Sequence, residues 1–367
     1  MRLGVLGAGQ LGRMLALAAA PLGIAVRCLD PTPAPPAAVA AECVTASYLD
    51  LAACAGFANG LDAITYEFEN VPFEVVDGLS QRVPVRPGPV SLKVGQHRLR
   101  EKALFGELQI DTAAFAPARG RAEIVSVASA LGLPVRLKTC ALGYDGKGQA
   151  FVADPATLDA VAAGWPDVET IVERHVAFER EVSMLVVRSI DGEIRHWPLI
   201  ENTHVDGMLS ISVMQPDDPL TGAARSLASR LVESLGHVGV LALELFVVNG
   251  ALMANELAPR VHNSGHLTIE GTETSQFENH VRAVCGLPLG STAPRGFTAM
   301  VNLVGTLPDT RALLAIEGAH LHLYGKSPRP GRKLGHVTLH ADDRAALEAR
   351  LRQACDITAP ESRRRPT

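Results

Sequence analysis

No run of 18 apolar residues occurs in the 367-residue chain, so nothing in it reads as a membrane-spanning helix. Cysteine is sparse and scattered: Cys28, Cys43, Cys54, Cys140, Cys285 and Cys355 form no C-x-x-C pair and no zinc spacing. That pattern excludes a disulfide framework and a zinc ribbon, and reads as buried thiols in a reducing cytoplasm. Basic charge is not in excess either. A formal net charge of −5 argues against bulk affinity for nucleic acid, which needs a concentrated basic face. What remains, 47% hydrophobic and 20% charged residues, is an ordinary globular composition with length for roughly two or three domains.

Glycine, by contrast, is placed with purpose. In GVLGAGQLGRM, residues 4–14, Gly7, Gly9 and Gly12 spell G-x-G-x-x-G directly after the apolar run RLGVL. MLALAAAPL reads as a helix opened by these glycines, and AVRCLD as a second strand ending in Asp30, where an acid binds a ribose in dinucleotide folds. Any strand–loop–helix unit whose backbone approaches a phosphate or packs tightly can need the same glycines, so NAD is one reading among others. A secretory leader ending near Ala20 is disfavoured because Arg13 interrupts the apolar run. LDAITYEFE and VPVRPG read as further strands and PFEVVDGL as a short helix. Together they predict a small parallel sheet whose carboxyl edge brings the glycine loop near Glu67.

After residue 90 the pattern changes. SLKVGQHRLREKALFGEL predicts one long helical stretch, and hairpins follow with turns at Asp191-Gly192 and Asn249-Gly250. A helix at roughly 219–235 sets Leu227, Leu231 and Leu235 toward a core. A second glycine segment follows the strand carrying Lys138: Gly143-Tyr144-Asp145-Gly146-Lys147-Gly148-Gln149. It lacks Walker A spacing, but its N–H groups and ammonium suit a flap that closes over phosphates.

Glu173 and Glu181 flank a strand end, and Glu244 and Glu256 lie on either side of the Asn249-Gly250 turn. NELAPRVHNSGH then adds Arg260, His262 and His266. Phosphate-directed cations with paired carboxylates suit magnesium-assisted phosphoryl transfer. A plain two-residue turn would pair Glu244 with Asn255 and send Glu256 to the opposite face. A shared face requires a three-residue loop or an equivalent bulge. Because directly opposed like charges repel unless a cation lies between them, we expect Glu244 and Glu256 to share a face and hold Mg2+.

GAGQLGRM, YEFENVP, QHRLREK, LKT with GYDGKGQ, EREVSM, NELAPRVHNSGH and HLHLYGKSPRPGRKLGHV, in this order, resemble the carboxyaminoimidazole ribonucleotide synthetase family of the ATP-grasp superfamily. The resemblance covers residues 1 to about 340. It implies an α/β and α+β architecture: a Rossmann-like parallel-sheet domain over 1–92, a two-part ATP-grasp domain over 93–292, and a small β-rich C-terminal domain over 293–367. The implied reaction is ATP-dependent carboxylation of 5-aminoimidazole ribonucleotide by bicarbonate in purine biosynthesis. It runs through carboxyphosphate and releases ADP and phosphate. A cytoplasmic homodimer acting on small molecules, without nucleic-acid or membrane partners, is also implied.

By the same resemblance, Gln10, Leu11, Glu67 and Tyr144 contact the ribonucleotide, and Lys326, Arg332 and Lys333 hold its phosphate. Arg98, Lys138, Gly143 to Gln149 (Gly143, Tyr144, Asp145, Gly146, Lys147, Gly148, Gln149), Glu173, Arg174, His175, Val176, Glu181, His204, Asn255 and Glu256 surround ATP. Glu244 and Glu256 hold Mg2+, and Arg260 and His262 attend the bicarbonate or carboxyphosphate. One departure stands out: the family usually follows LKT with arginine, whereas here Cys140-Ala141-Leu142 precede the flap. Arg363-Arg364-Arg365 reads as a solvated tail. The competing readings are a formate-dependent glycinamide ribonucleotide transformylase, an NAD-binding oxidoreductase and a non-catalytic nucleotide-binding module.

Overall fold

Strand Arg2–Leu6 takes the centre of a four-stranded parallel sheet ordered Glu42–Thr45, Ala25–Asp30, Arg2–Leu6, Ala63–Tyr66. The protein is described here by a computed structural model over residues 1–143 and 148–359. AVRCLD forms its strand as the sequence suggests, and helix Gln10–Ala19 follows the glycine loop. VPVRPG does not make a full strand. It is reduced to a single bridge from Val85 to Ile64, because Pro84 and Pro87 bracket it and have no N–H to offer a ladder.

The expected long helix is two helices, Pro89–Gly95 and Arg98–Glu107. The chain breaks where it is tied to the first domain: Gln96 Nε2 donates to the carbonyls of Glu69 (2.7 Å) and Val71 (2.6 Å). Gly95 sits so close to Pro259 that a Cβ would lie 2.7 Å from its ring. The break turns His97 extended and sets Arg98 at a helix start facing the centre of the molecule.

A small antiparallel sheet follows, ordered Phe115–Ala118, Thr170–Arg174, Val135–Thr139, Gln149–Val152 and backed by helices Gly120–Leu131 and Pro155–Gly164. Its core is Ile124, Ala128, Leu137 and Leu158. The large sheet has nine strands. Ala251–Ala258, Gly239–Val248, Arg180–Arg188, Leu199–Val205 and Met208–Gln215 run on into Phe297–Val304, Lys333–Ala341 and Ala319–Leu323, while Ile194–His196 pairs with Arg180–Arg188. The C-terminal strands thus extend this sheet, with Val213 opposite Ala299. Helix Thr221–Ser234 packs on it through buried Leu231, with Leu235 just beyond and Leu227 at the margin. Among the described residues no helix is long and apolar enough to cross a membrane.

Candidate active site

The glycine loop is filled from within. Glu67, buried at the end of strand Ala63–Tyr66, accepts the N–H of Gly9 with one carboxylate oxygen and that of Gly12 with the other, the latter at 2.6 Å. Those N–H groups open helix Gln10–Ala19, the place where a dinucleotide would set its pyrophosphate. A Cβ on Gly9 would stand 2.7 Å from Glu67 Oε1, and Gly7, at φ +100°, is equally close, which is why the loop needs glycines here. Asp30 is occupied as well, accepting from the N–H of Ala8 (3.0 Å) and of Thr32 (2.8 Å). The NAD reading is therefore corrected: a carboxylate of the chain's own holds the anion position. Burial pushes the Glu67 pKa up, and the two N–H groups oppose that rise.

Beside this loop, all three sheets converge on a cleft of about 760 Å³. Its wall gathers Gln10, Leu11, Arg98, Lys138, Gly143, Gln149, Glu181, His204, Glu244, Asn255, Glu256, Arg260, His262 and Lys333, residues drawn from most of the chain. Glu67, Gly148, Glu173, Arg174, His175, Val176, Lys326 and Arg332 do not form this wall. Tyr144, Asp145, Gly146 and Lys147 lie outside the described residues. Arg174 points away and donates to the carbonyl of Leu131, and the His175 N–H is taken by the carbonyl of Pro134.

The hairpin resolves the register question. Asn249 (φ 50°) and Gly250 (φ 73°) do make a two-residue turn, with Val248 opposite Ala251. A bulge between Glu244 and Leu245 then lets Asn255 slip out of the ladder, so that Glu244 stands directly opposite Glu256. Two carboxylates thus face each other on the cleft wall. Glu256 pairs with Arg98 at 2.7 Å, and Glu244 Oε1 lies 3.1 Å from His262 Nε2. Burial works against the Glu256 charge, but Arg98 and Lys138 outweigh it and lower its pKa.

Lys138 is itself held by Glu173 (2.5 Å), which also takes Lys102 (3.0 Å). Burial opposes ionisation of Glu173, yet the two ammonium groups pull its pKa to about 2. Glu181 Oε2 accepts from His204 Nδ1 at 2.6 Å, and although burial works against the charged imidazole, the pairing raises the His204 pKa. Phe178 and Phe246 stack at 4.8 Å on the same wall.

Several members of the site have no motif of their own. Glu69 grips Arg260 through both oxygens, one of them at 2.9 Å from Nη2. Buried Gln276 receives the His262 N–H (2.9 Å) and donates to its carbonyl (2.6 Å). Ser264 Oγ meets His262 Nδ1 at 2.9 Å. Glu69, Lys102 and Ser264 were in view within YEFEN, QHRLREK and NELAPRVHNSGH without a signal naming their partners, and Gln276 carries no sequence signal at all. On the C-terminal side, Lys326 reaches the Gln10 side chain, Tyr324 is buried with its hydroxyl 2.7 Å from His336 Nδ1, and Arg332 leans on the Ser327 carbonyl at 3.3 Å.

Comparison with known proteins places this geometry. Residues 1–96 match the ribonucleotide synthetase preATP-grasp domain, 103–277 the ATP-grasp domain, and 298–350 the phosphoribosylaminoimidazole carboxylase C-terminal domain. The chain is 49% identical over 351 residues to N5-carboxyaminoimidazole ribonucleotide synthase of Pseudomonas aeruginosa, covering 96% of this chain and 98% of that one. It superposes on the crystal structure of the Thermus thermophilus N5-carboxyaminoimidazole ribonucleotide synthetase with a TM-score of 0.92 at 49% identity, over 98% of this chain and 99% of that one. The Aspergillus clavatus N5-carboxyaminoimidazole synthase, solved in complex with ADP and 5-aminoimidazole ribonucleotide, aligns with a TM-score of 0.90 at 30% identity, over 97% and 98% of the two chains.

Proposed function

The chain belongs to the N5-carboxyaminoimidazole ribonucleotide synthase family of ATP-grasp ligases, and from that premise we propose how its own residues carry the reaction. The activity is ATP-dependent carboxylation of 5-aminoimidazole ribonucleotide by bicarbonate, in purine biosynthesis, yielding the N5-carboxy product with ADP and phosphate. The observation that carries the residue assignment is the facing pair Glu244 and Glu256 on one wall of the cleft, beside Arg98 and Lys138.

Nucleotide binding falls to the half of the cleft between the small and large sheets. Arg98 and Lys138 suit the phosphate oxygens. Glu181 suits the ribose hydroxyls with His204 behind it, and Asn255 lies alongside the phosphates. The segment Glu173 to Val176 ends at the adenine side, where Val176 offers backbone and Phe178 with Phe246 offers an apolar wall. By the resemblance, Gly143 to Gln149 is assigned to the triphosphate. The hard oxygen donors of Glu244 and Glu256, opposed at close range, fit Mg2+, which supplies charge neutralisation on the phosphates when bound.

Bicarbonate attacks the γ-phosphorus, the bond to the ADP oxygen breaks, and carboxyphosphate forms. It splits to carbon dioxide and phosphate, and the ribonucleotide amine captures the carbon dioxide while losing a proton. Arg260, held flat by Glu69, presents its guanidinium to the carboxyphosphate. His262, fixed by Gln276 and Ser264, lies within reach of the same pocket and takes the amine proton. Gln10, Leu11 and Tyr144 face the ribonucleotide, with Glu67 acting through the loop it organises, and Lys326, Arg332 and Lys333 hold its phosphate. The functional units over 1–92, 93–292 and 293–367 each supply one substrate face. We place the enzyme in the cytoplasm as a homodimer.

ADP release tests this directly. With magnesium, ATP, bicarbonate and the ribonucleotide each omitted in turn, full turnover is expected only when all are present, with an acid-labile carboxylated product. Turnover on glycinamide ribonucleotide and formate instead would overturn the reading.

A further inference from the structure

At the rim of the cleft, His97, Cys140 and Glu169 bring one nitrogen, one sulfur and one oxygen donor within 4.8 Å of one another. We propose that these three side chains bind one thiophilic divalent cation of the zinc class, and that the bound ion ties the end of strand Val135–Thr139 to the helix that begins at Arg98. Neither the mechanism above nor the resemblance uses this triad.

The backbone builds the triad in advance. The Cys140 N–H donates to the Glu169 carbonyl at 3.0 Å, continuing by one step the ladder in which Thr139 faces Thr170. Antiparallel partners project side chains to one face, so the thiol and the carboxylate share a side. The Arg98 N–H donates to the Cys140 carbonyl at 2.9 Å, which brings the preceding residue, His97, over the same spot. His97 Nε2 already meets Glu169 Oε2 at 2.8 Å, while its Nδ1 is shut from solvent without a partner.

The donor chemistry selects the ion. Thiolate and imidazole favour zinc-like cations over Mg2+, which prefers oxygen ligands and keeps its waters. Tetrahedral zinc spaces its donors about 3.3–3.7 Å apart, so the triad must contract by roughly 1 Å. Glu169 is half exposed and can supply that movement. Three protein ligands leave a fourth position open to water. Burial, with Glu169 adding to it, pushes the Cys140 thiol up to about 12, so the free site holds a thiol. On binding, the S–H bond breaks, the sulfur–metal bond forms and the proton passes to buffer.

Cobalt(II) titration of the nucleotide-free full chain, after reduction with a phosphine, reads the site without any turnover. We expect one equivalent to produce a thiolate-to-cobalt charge-transfer band, and equilibrium dialysis to find one zinc per chain. C140S should abolish the band, and H97Q and E169Q should each weaken zinc binding at least tenfold. If C140S fails to fold by circular dichroism, the other two variants decide. No band in the wild-type protein, a band that survives in folded C140S, or affinity unchanged in both H97Q and E169Q would overturn the site. The tie to the helix that begins at Arg98 rests on the nucleotide reading and is measured separately. Zinc at saturation should raise the KM for ATP several-fold, reversibly with chelator, and an unchanged KM with the site filled would overturn that part.

Discussion

At the scale of single residues, the site is a set of charges each held by a second group of the protein. Arg260 has Glu69, His262 has Gln276 and Ser264, and Lys138 has Glu173. Such support matters because a guanidinium or ammonium free to swing loses side-chain entropy when substrate arrives, and prior pairing removes part of that cost. Glu244 and Glu256 carry the sharpest prediction. Arg98 and His262 meet them at rest, and Gln keeps their size and hydrogen-bonding capacity, so replacing either by Gln should leave the circular dichroism spectrum and Tm close to wild type while abolishing ADP release. Near-normal turnover in both variants would remove the metal assignment. Lys326, which reaches Gln10 across the domain boundary, gives a second test. Lys326→Ala should raise the KM for the ribonucleotide by a factor equivalent to about 2 kcal/mol, the worth of one lost charge-assisted contact, with far less effect on that for ATP. Equal rises in both constants would count against its role at the phosphate.

At the scale of elements, the hairpin Gly239–Val248 and Ala251–Ala258 shows how one extra residue decides chemistry. The Asn249-Gly250 turn alone would set Glu256 on the wrong face, and the bulge that ejects Asn255 corrects it. Deleting Asn255 should remove the bulge yet leave Glu244 opposite Glu256, so the carboxylate pair and its Mg2+ dependence should survive while loss of the Lys102 and Lys138 contacts to Asn255 raises the KM for ATP. A folded deletion variant that turns over without responding to Mg2+, or one whose KM for ATP is unchanged, would count against this reading of the hairpin. The need for a bulge was legible in the sequence, because two acids at that spacing share a face only if one residue is skipped. Its position was not, since nothing local distinguishes Asn255 from its neighbours. The same limit explains the helix break at Gln96, whose partners Glu69 and Val71 belong to another domain, and the loss of the VPVRPG strand to its prolines. AVRCLD, PFEVVDGL and the leucine-bearing helix Thr221–Ser234 were legible because their periodicity is local. Most of the cleft wall was reached through motif order. Glu67 shows what motif order leaves out: the acid was visible, but only the fold reveals that both its oxygens are taken by loop N–H groups.

At the scale of the whole molecule, the first domain is stapled to the large sheet by buried histidines whose neutrality is a condition of folding. His280, on helix Gln276–Val284, meets Thr65 Oγ1 at 2.8 Å through Nε2 and accepts the Val240 N–H at 3.0 Å on Nδ1. His237 lies between Ser91 Oγ and the Val240 carbonyl, each at 3.0 Å. Burial lowers the pKa of His280 to about 3 and that of His237 to about 4, from an ordinary 6.5. The folded values lie below the unfolded one, so between them the unfolded chain binds more protons. Stability from these two groups is thus complete above pH 6.5 and declines as pH falls toward 4 and then 3, with an upper bound on the order of 3 kcal/mol for His237 and 5 kcal/mol for His280. Urea unfolding across pH 7.5 to about 4.5 should show that loss. His280→Gln keeps an acceptor and a donor but cannot titrate, so the variant should be less stable at pH 7.5 and have a visibly flatter pH dependence. Wild-type and variant curves running parallel through this window would show that acid sensitivity arises elsewhere, for instance from His266 and His336, whose pKa burial also lowers, and not from Glu173, whose lowered pKa confines its contribution to the range between about 4.5 and 2.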